Sequence, residues 1–265
     1  MQEFKTKEEL FKHLKENKEI LIAEKKAATK QADSLMCNAE IDIKTDANKA
    51  DDSNDGINLR VKVVINTTNL LDSHGDVHIP GLWTKTLKDR RKTYLLQEHK
   101  MSFDHIITDI VKPSAKMMNW ADLGYNYEGQ TQALIFDAEI EKGRNDYMRE
   151  QYSKGYVDNH SVGMQYVKLE LAVNSNDRYY ADEKAAWDKY ITQVANRDRA
   201  EEQGYFWAVT EAKLIEGSAV PIGSNYATPT LSVKEPTEVT PKEEAVNINE
   251  FRNEIKHLLT KTFTQ

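Results

Sequence analysis

Alternating apolar and polar positions in the middle of the chain predict a domain built mainly from β-strands. Leu59, Val61 and Val63 alternate with polar residues at the two-residue period of a half-buried strand. Apolar-rich patterns predict strands at 59–65, 134–140, 160–173 and 205–220. Helical patterns lie between them, at 83–91, 146–153 and 182–200. Strands mixed irregularly with helices are typical of an α+β domain rather than of a doubly wound parallel sheet.

The N-terminal region has a helical pattern followed by a polar run. Thr6 and Glu9 have the spacing of a capping box, and apolar residues at helical spacing follow them. We therefore expect a helix over 7–33. The residues after it are rich in Asp and Asn, which predicts a linker. Residues 1–57 are thus expected to form a helical extension and linker outside the folded domain.

The C-terminal region places its linker before its helix. A segment rich in Pro, Thr and Glu begins near residue 233. An amphipathic helix is predicted after it, with an apolar stripe that includes Ile248, Phe251 and Ile255. The stripe has two open interpretations: it docks on its own domain, or it binds a partner. The folded domain is therefore expected at 58–232 and the tail at 233–265.

Composition excludes several classes of protein. The chain has 265 residues, with 36 basic and 43 acidic side chains and a net charge of −7. Because phosphate contacts need clustered Lys and Arg, we expect no nucleic-acid partner. No apolar run approaches the roughly 20 residues of a membrane helix, and the N-terminus lacks the apolar core of a secretory signal. The single cysteine, Cys37, excludes an internal disulfide and a cysteine-cluster zinc site.

A first candidate site consists of His74, Asp76 and His78. Alternate residues of a strand share one face, so these three side chains could together bind a metal ion. No fourth ligand is recognisable, and the surrounding Asp, Ser, Gly and Pro residues are typical of a turn. A solvated turn is the simpler interpretation, and neither a metal nor another cofactor is expected.

A second candidate site consists of residues that are unremarkable one by one. Ser161 lacks the glycine two positions earlier that a nucleophile elbow requires, which excludes the signature of an α/β-hydrolase. His99 taken alone reads as a surface histidine. Glu216 is a carboxylate inside an apolar strand, so it either points to solvent or is paired. A carboxylate paired with an imidazole can fix its tautomer and stabilise the imidazolium formed during acyl transfer.

The surroundings of these three residues are more specific. Short motifs follow one another in this order: D-x-x-G-D at 72–76, P-G at 80–81, E-H at 98–99, K-G at 154–155, S-V-G at 161–163 and E-x-S-x-V at 216–220, followed by Asn225 and Ala227. This order resembles the prohead (capsid-maturation) serine proteases of tailed phages, distant relatives of the herpesvirus assemblin proteases. The resemblance covers about residues 58–230, and it leaves 174–204 as an insertion.

The resemblance implies a fold and a set of site residues. The fold would be an assemblin-like antiparallel β-barrel surrounded by helices, with helical extensions at both ends. Ser161 would be the nucleophile, His99 the general base, and Glu216 the third member, where the herpesvirus relatives use a second histidine. Glu211 is a rival for the third role, but its odd separation from Glu216 predicts the opposite face of the strand. His160 is a weaker rival, because its neighbour Ser161 should point to the opposite side of the strand.

The implied activity is that of a serine endopeptidase acting through an acyl-enzyme. Its substrates would be the scaffold, the major capsid protein and the chain itself, inside the prohead as it assembles in the host cytoplasm, with possible self-association and no membrane partner. Gly163 would let a substrate backbone or oxyanion approach closely. Where the herpesvirus relatives carry an arginine pair for the oxyanion hole, this chain has Ser224 and Asn225.

The tail has a natural role in this interpretation. It would anchor the precursor during assembly and then be removed by self-cleavage, leaving a product that ends within 228–245. Two other hypotheses stay open. The chain could be a catalytically inactive scaffold or capsid-interaction protein with a protease-like fold, or a metal-dependent hydrolase that uses His74, Asp76 and His78.

Overall fold

A computed structural model describes residues 4–28, 58–89 and 91–235, and these ranges form an α+β fold. More of its residues lie in strands than in helices, which confirms the predicted class. The strands are β1 (Leu59–Thr67), β2 (Asp76–His78), β3 (Leu95–Gln97), β4 (Ile106–Thr108), β5 (Ile110–Asn119), β6 (Gln130–Ile140), β7 (His160–Val173), β8 (Tyr205–Ala219) and β9 (Thr230–Lys234). The helices are α1 (Lys7–Glu16), α2 (Lys18–Ala27), α3 (Thr84–Lys88), α4 (Asp146–Ser153), α5 (Ala181–Tyr190) and α6 (Arg197–Gln203).

Two predicted segments lie outside the described residues. They are the linker before residue 58 and the amphipathic helix with the stripe Ile248, Phe251 and Ile255. At the other boundary, β9 continues to Lys234 and pairs with β1, two residues beyond the expected end of the domain at 232. In the described part of the chain, no helix is long and apolar enough to cross a lipid bilayer.

The first sheet, called sheet I, has the strand order β5-β6-β1-β9. All of its neighbours pair antiparallel, and Val63 of β1 stands opposite Phe136 of β6. Both side chains are fully buried, as the two-residue alternation predicted for these strands.

The second sheet, called sheet II, is organised around the 15-residue strand β8. The antiparallel strand β7 follows one edge of β8 along most of its length. The short strands β2 and β3 pair in parallel with the other edge, β2 near the start of β8 and β3 near its end. The strand β4 extends the sheet beyond β3. Sheet II therefore has three neighbouring strands, β7, β8 and β3, at the end where β8 finishes.

One hydrophobic core lies between the two sheets and contains residues of both, such as Phe136 and Val162. The face of sheet II that touches this core is called the inner face, and the opposite side the outer face. Thr108 of β4 also donates a hydrogen bond of 2.6 Å to the carbonyl of Glu139 in β6, which ties the sheets together at one side. Among the described strands, no pairing closes the two sheets into a barrel.

The N-terminal extension is part of the folded body. The single helix expected over 7–33 is two helices, because α1 ends at Glu16 and α2 begins at Lys18, with Asn17 as the cap between them. Phe11 and Leu14 of α1 are buried in the main core. Phe11 also fits against Gly204, where an added Cβ would come within 2.8 Å of its ring. The expectation that this region lies outside the domain was therefore wrong for α1.

The insertion at 174–204 covers half of the outer face of sheet II. The one helical stretch expected at 182–200 is split into α5 and α6, with a 3-10 turn between them. Trp187 and Tyr190 of α5 pack with Ala172, Phe206 and Ala208 in a second hydrophobic cluster. These three residues belong to the end of β7 and the start of β8. The other half of the outer face, near the end of β8, is not part of this cluster.

Candidate active site

Strands β7 and β8 carry the candidate residues on the half of the outer face near the end of β8. In the antiparallel register Ser161 stands opposite Ser218, and Gly163 stands opposite Glu216. Directly opposite residues of paired strands point to the same side of a sheet. His99 follows β3, which pairs with the other edge of β8. The three predicted residues thus come from three neighbouring strands.

His99 and Glu216 form a buried pair. The His99 Nδ1 atom lies 2.7 Å from the Glu216 Oε1 atom, and both side chains are at most 8% exposed. A carboxylate only accepts hydrogen bonds, so Nδ1 carries the proton and Nε2 is the basic nitrogen of the neutral ring. This is the tautomer that a general base needs in order to take a proton through Nε2.

Ser218 connects the two members of this pair. Its hydroxyl donates a hydrogen bond of 2.6 Å to Glu216 Oε2 and accepts one of 3.1 Å from the backbone N–H of His99. The side chain of Ser218 is fully buried. The motif E-x-S-x-V contained this residue, and the two-residue period of a strand places 216 and 218 on one face. That spacing was the signal that sequence reasoning left unused.

The backbone at His99 is held in an uncommon conformation. Glu98 and His99 have φ angles of +53° and +58°, in the left-handed region that is costly for residues with a Cβ. The Glu98 N–H donates to the carbonyl of Ala219 at 3.0 Å, and the His99 N–H donates to Ser218. These two bonds fold the chain back over the end of β8, which brings the imidazole above Glu216.

The remaining nitrogen of His99 has no partner among the described residues. Nε2 is buried and makes no hydrogen bond. Ser161, in the neighbouring strand, is 6% exposed. The register places Ser161 beside Ser218, the residue that holds His99, yet no hydrogen bond joins Ser161 to the imidazole. Such bonds are often long in proteins without substrate and shorten in the Michaelis complex.

Gly163 has a different role from the one expected. A Cβ at this position would lie 2.0 Å from Glu216 Oε1, so the carboxylate occupies the space that a side chain would need. The glycine therefore admits the Glu216 side chain, not a substrate backbone or an oxyanion. Glycine within a strand commonly marks such a close approach.

A β-bulge corrects the expected position of Glu211. The β7–β8 register shifts at Ile215, which leaves this residue without a partner in β7. One extra residue reverses the alternation of side chains. Glu211 and Glu216 therefore lie on the same face, and the prediction of opposite faces was wrong. Glu211 is paired with two lysines, Lys85 at 2.9 Å and Lys168 at 3.4 Å, whereas His99 is paired with Glu216.

His160 is buried on the inner side of β7, away from the candidate site. Its Nδ1 donates to the carbonyl of Thr228, and its Nε2 accepts from the Tyr152 hydroxyl, each at 3.0 Å. Burial lowers the pKa of His160 to about 4, so the ring is neutral and both nitrogens are occupied. This histidine is a structural residue.

Of the three residues of the metal site considered from the sequence, Asp76 and His78 are buried and engaged, whereas His74 is exposed. Asp76 and His78 lie in β2, so the solvated turn expected here was wrong for these two. His78 has Nδ1 at 2.9 Å from Asn66 Oδ1 and Nε2 at 3.2 Å from the Tyr166 hydroxyl. Tyr166 donates to Asp76, which also binds the ammonium group of Lys25. Within the described ranges, no group of three His, Cys, Asp or Glu residues is arranged to hold a metal ion.

The inner cluster is the group of polar residues in contact on this side of sheet II, namely Lys25, Asn66, Asp76, His78 and Tyr166, together with the nearby Asp72. The Asp72 Oδ1 atom accepts from the N–H groups of His74 and Asp76, at 2.8 and 2.9 Å. Burial raises the pKa of Asp72 to about 7, and the charge of Asp76 adds to this rise. The carboxyl group is therefore partly protonated near neutral pH.

Ser224 and Asn225 were expected near the oxyanion hole, but the Asn225 side chain makes its hydrogen bonds within the fold. The Asn225 side chain donates to the Thr67 carbonyl at 2.9 Å and accepts from the Ala227 N–H at 3.0 Å. Ser224 and Ser161 line a pocket of about 20 Å³, which is room for roughly one water molecule. Asn225 therefore supplies no free donor for an oxyanion.

Comparisons with known proteins identify no relative of this chain. No family model, no curated protein and no solved structure matches it.

Proposed function

We propose that this protein is a serine endopeptidase in which Ser161 is the nucleophile, His99 the general base and Glu216 the residue that orients His99. One observation carries the proposal. A buried imidazole has one nitrogen bound to a buried carboxylate and the other without a partner among the described residues, on the sheet face that bears Ser161. A buried nitrogen without a partner is costly, and a catalytic role is one explanation for such an atom.

The chemistry follows from these residue types. His99 Nε2 takes the proton of the Ser161 hydroxyl as its oxygen attacks a peptide carbonyl. The tetrahedral intermediate collapses to an acyl-enzyme, and the imidazolium gives its proton to the leaving amine. Water then hydrolyses the ester, with His99 again as the base. Glu216 stabilises the imidazolium in both halves of the reaction because it is buried beside Nδ1.

The resemblance to prohead proteases extends this proposal to a biological role. The substrates would be scaffold and major capsid protein within an assembling prohead, and the chain itself. The assemblin-like barrel belongs to the same proposal. Two sheets around one core, with helices outside, are compatible with a barrel that is open along one side.

Chemical labelling tests the nucleophile without a known substrate. The recombinant chain is treated with a fluorophosphonate, which reacts with serines activated by a neighbouring base. We expect one adduct at Ser161 by peptide mass spectrometry, and none in Ser161→Ala or His99→Ala. Ser114→Ala is the matched control, because Ser114 lies on β5, outside the site, and should label like the wild type. Labelling at another serine, or none in the wild type, would contradict the assignment.

Co-expression with the cognate capsid protein tests the role. The wild-type protein should cleave the capsid protein to a shorter product. Ser161→Ala should abolish this cleavage, because removing the nucleophile of a serine protease lowers the rate about 10⁶-fold. A chelator should have no effect, which separates this mechanism from a metal-dependent hydrolase. Unchanged processing in Ser161→Ala, or no processing by wild type, would favour the inactive scaffold protein instead.

Self-cleavage makes a narrower prediction than the sequence allowed. Thr228 and β9 are bound into the fold, so a cut before residue 235 would remove paired structure. We expect the mature product to end between 235 and 245. Intact mass spectrometry of fresh and aged protein measures this directly, and a full-length mass that persists during assembly would contradict it.

A further inference from the structure

Ser218 contacts both partners of the His99–Glu216 pair from a fully buried position. A hydroxyl has one donor and two acceptor sites, so it can donate to Glu216 Oε2 while it accepts from the His99 N–H. An alanine could make neither bond. The residue therefore couples the carboxylate of β8 to the backbone of the segment after β3.

Each of the two bonds constrains a different degree of freedom. The bond to Oε2 fixes the rotation of the carboxylate, so that Oε1 faces the imidazole at 2.7 Å. The bond from the His99 N–H stabilises a residue whose φ of +58° is unfavourable by itself. Without these bonds, the histidine backbone and the carboxylate are both free to leave the arrangement that joins them.

We infer that Ser218 is a positioning residue that sets the tautomer and the direction of the His99 imidazole. This inference rests on the proposed function, because it assigns Ser218 to the same site. Ser218 does not touch the reacting atoms. It acts through Glu216 and His99, and its loss should reduce turnover while leaving substrate binding unchanged.

The test combines kinetics with proton NMR of the full-length chain. For Ser218→Ala we expect kcat to fall about 10- to 100-fold with KM within twofold, as for an interaction needed only in the transition state. The His99 Nδ1 proton should give a downfield resonance in wild type, assigned by its loss in His99→Ala. This resonance should be broadened or lost in Ser218→Ala and retained in Ser218→Thr, which keeps the hydroxyl.

Thr228→Val is the matched control. Thr228 is also fully buried, and its hydroxyl donates to the carbonyl of His160, at 2.6 Å. Loss of this bond should lower the melting temperature but leave kcat and the His99 resonance unchanged. If Ser218→Thr does not fold, Ser218→Cys keeps the size and a weak donor and takes its place.

The two proposals can fail separately. A wild type that neither labels nor cleaves would overturn the proposed protease, whereas the resonance still reports whether Ser218 holds His99. A Ser218→Ala variant that keeps both kcat and the resonance would overturn the positioning role. A Thr228→Val variant that loses the resonance as well would also overturn it, because the effect would then follow from stability alone.

Discussion

The two faces of sheet II each carry a buried histidine near a carboxylate, and the two histidines differ in one respect. In the inner cluster, both nitrogens of His78 lie within hydrogen-bond distance of a partner, Asn66 or Tyr166. On the outer face, His99 has one nitrogen on Glu216 and the other without a partner in the described part of the chain. Both sites are polar and buried, so burial and charge alone do not distinguish them.

This difference suggests how a structural histidine and a reactive one can be told apart. A histidine with both nitrogens occupied must lose a hydrogen bond before it can accept a proton. A histidine with one bound and one unbound nitrogen is already oriented and still basic. His160 follows the first pattern, because Thr228 and Tyr152 occupy its nitrogens.

The largest expected effect separates the two histidines directly. His99→Ala should lower peptide cleavage by the folded protein about 10⁶-fold. His78→Ala should remove the buried contacts of the imidazole with Asn66 and Tyr166, leave a cavity and lower the free energy of unfolding by about 2–4 kcal/mol. Cleavage assays at low temperature and urea unfolding measure the two quantities. A His99→Ala variant that still cleaves peptides would contradict the distinction between a reactive His99 and a structural His78.

The two glycines Gly163 and Gly217 give the next contrast. Gly163→Ala should push the Glu216 carboxylate off His99 and lower kcat about 10⁴-fold, as loss of the third triad member does. Gly217→Ala points into the core, where its Cβ would lie 2.5 Å from Phe136, so it should cost about 1–3 kcal/mol of stability. Cleavage by folded Gly217→Ala should stay within a few-fold of wild type. Equal loss of activity in both variants would contradict the assignment of faces.

The ion pair of the inner cluster should affect stability only. Lys25→Met removes a cation bound to the fully buried Asp76 and should lower the free energy of unfolding by about 3–5 kcal/mol. Lys25→Met combined with Asp76→Asn should recover part of this loss, since both charges are gone. Lys12→Met is the control, because it breaks an exposed ion pair in which Lys12 lies 3.9 Å from Glu16. It should change the free energy of unfolding by less than about 0.5 kcal/mol. A double variant no better than the single one would argue against charge burial as the cause.

The smallest expected effect is a pH dependence from Asp72. Its pKa is raised from 3.8 to about 7 by burial, so between these values the folded state binds more protons than the unfolded state. The free energy of unfolding should therefore fall as the pH rises through this window. Asp72→Asn keeps an acceptor for the two backbone N–H groups and removes the titration. Relative to wild type, it should gain on the order of 1–4 kcal/mol between pH 5 and pH 8 in urea unfolding. Parallel curves for the two proteins would contradict the raised pKa.

The sequence predicted four long strands but not the ten-residue β5, and the resemblance implied the contact between His99 and Glu216. Both depend on local information, which is the two-residue alternation for β1, β6, β7 and β8, and the order of short motifs for the pair. The bounds of β7 and α4 agree with the predicted 160–173 and 146–153. The nucleophile assignment of Ser161 stays a prediction.

Other features depend on contacts that no local pattern reveals. The bulge at Ile215 changes the face of every later residue in β8, and the sequence has no Gly or Pro there to mark it. The short strand β2 looked like a turn because Asp76 and His78 are polar, yet Tyr166 and Lys25 satisfy them from far along the chain. Buried polar groups with distant partners are the features that alternation cannot predict.

The two N-terminal helices have a practical consequence for anyone who shortens this chain. Lys15 and Lys18 neutralise Glu183 of the insertion at 2.7 and 2.8 Å, while Lys25 neutralises Asp76 of β2. A version that begins at residue 58 would keep these two buried carboxylates and lose the three lysines that bind them in this structure. Recombinant material trimmed in this way should be poorly soluble, so biochemical work is best begun with the first 28 residues in place.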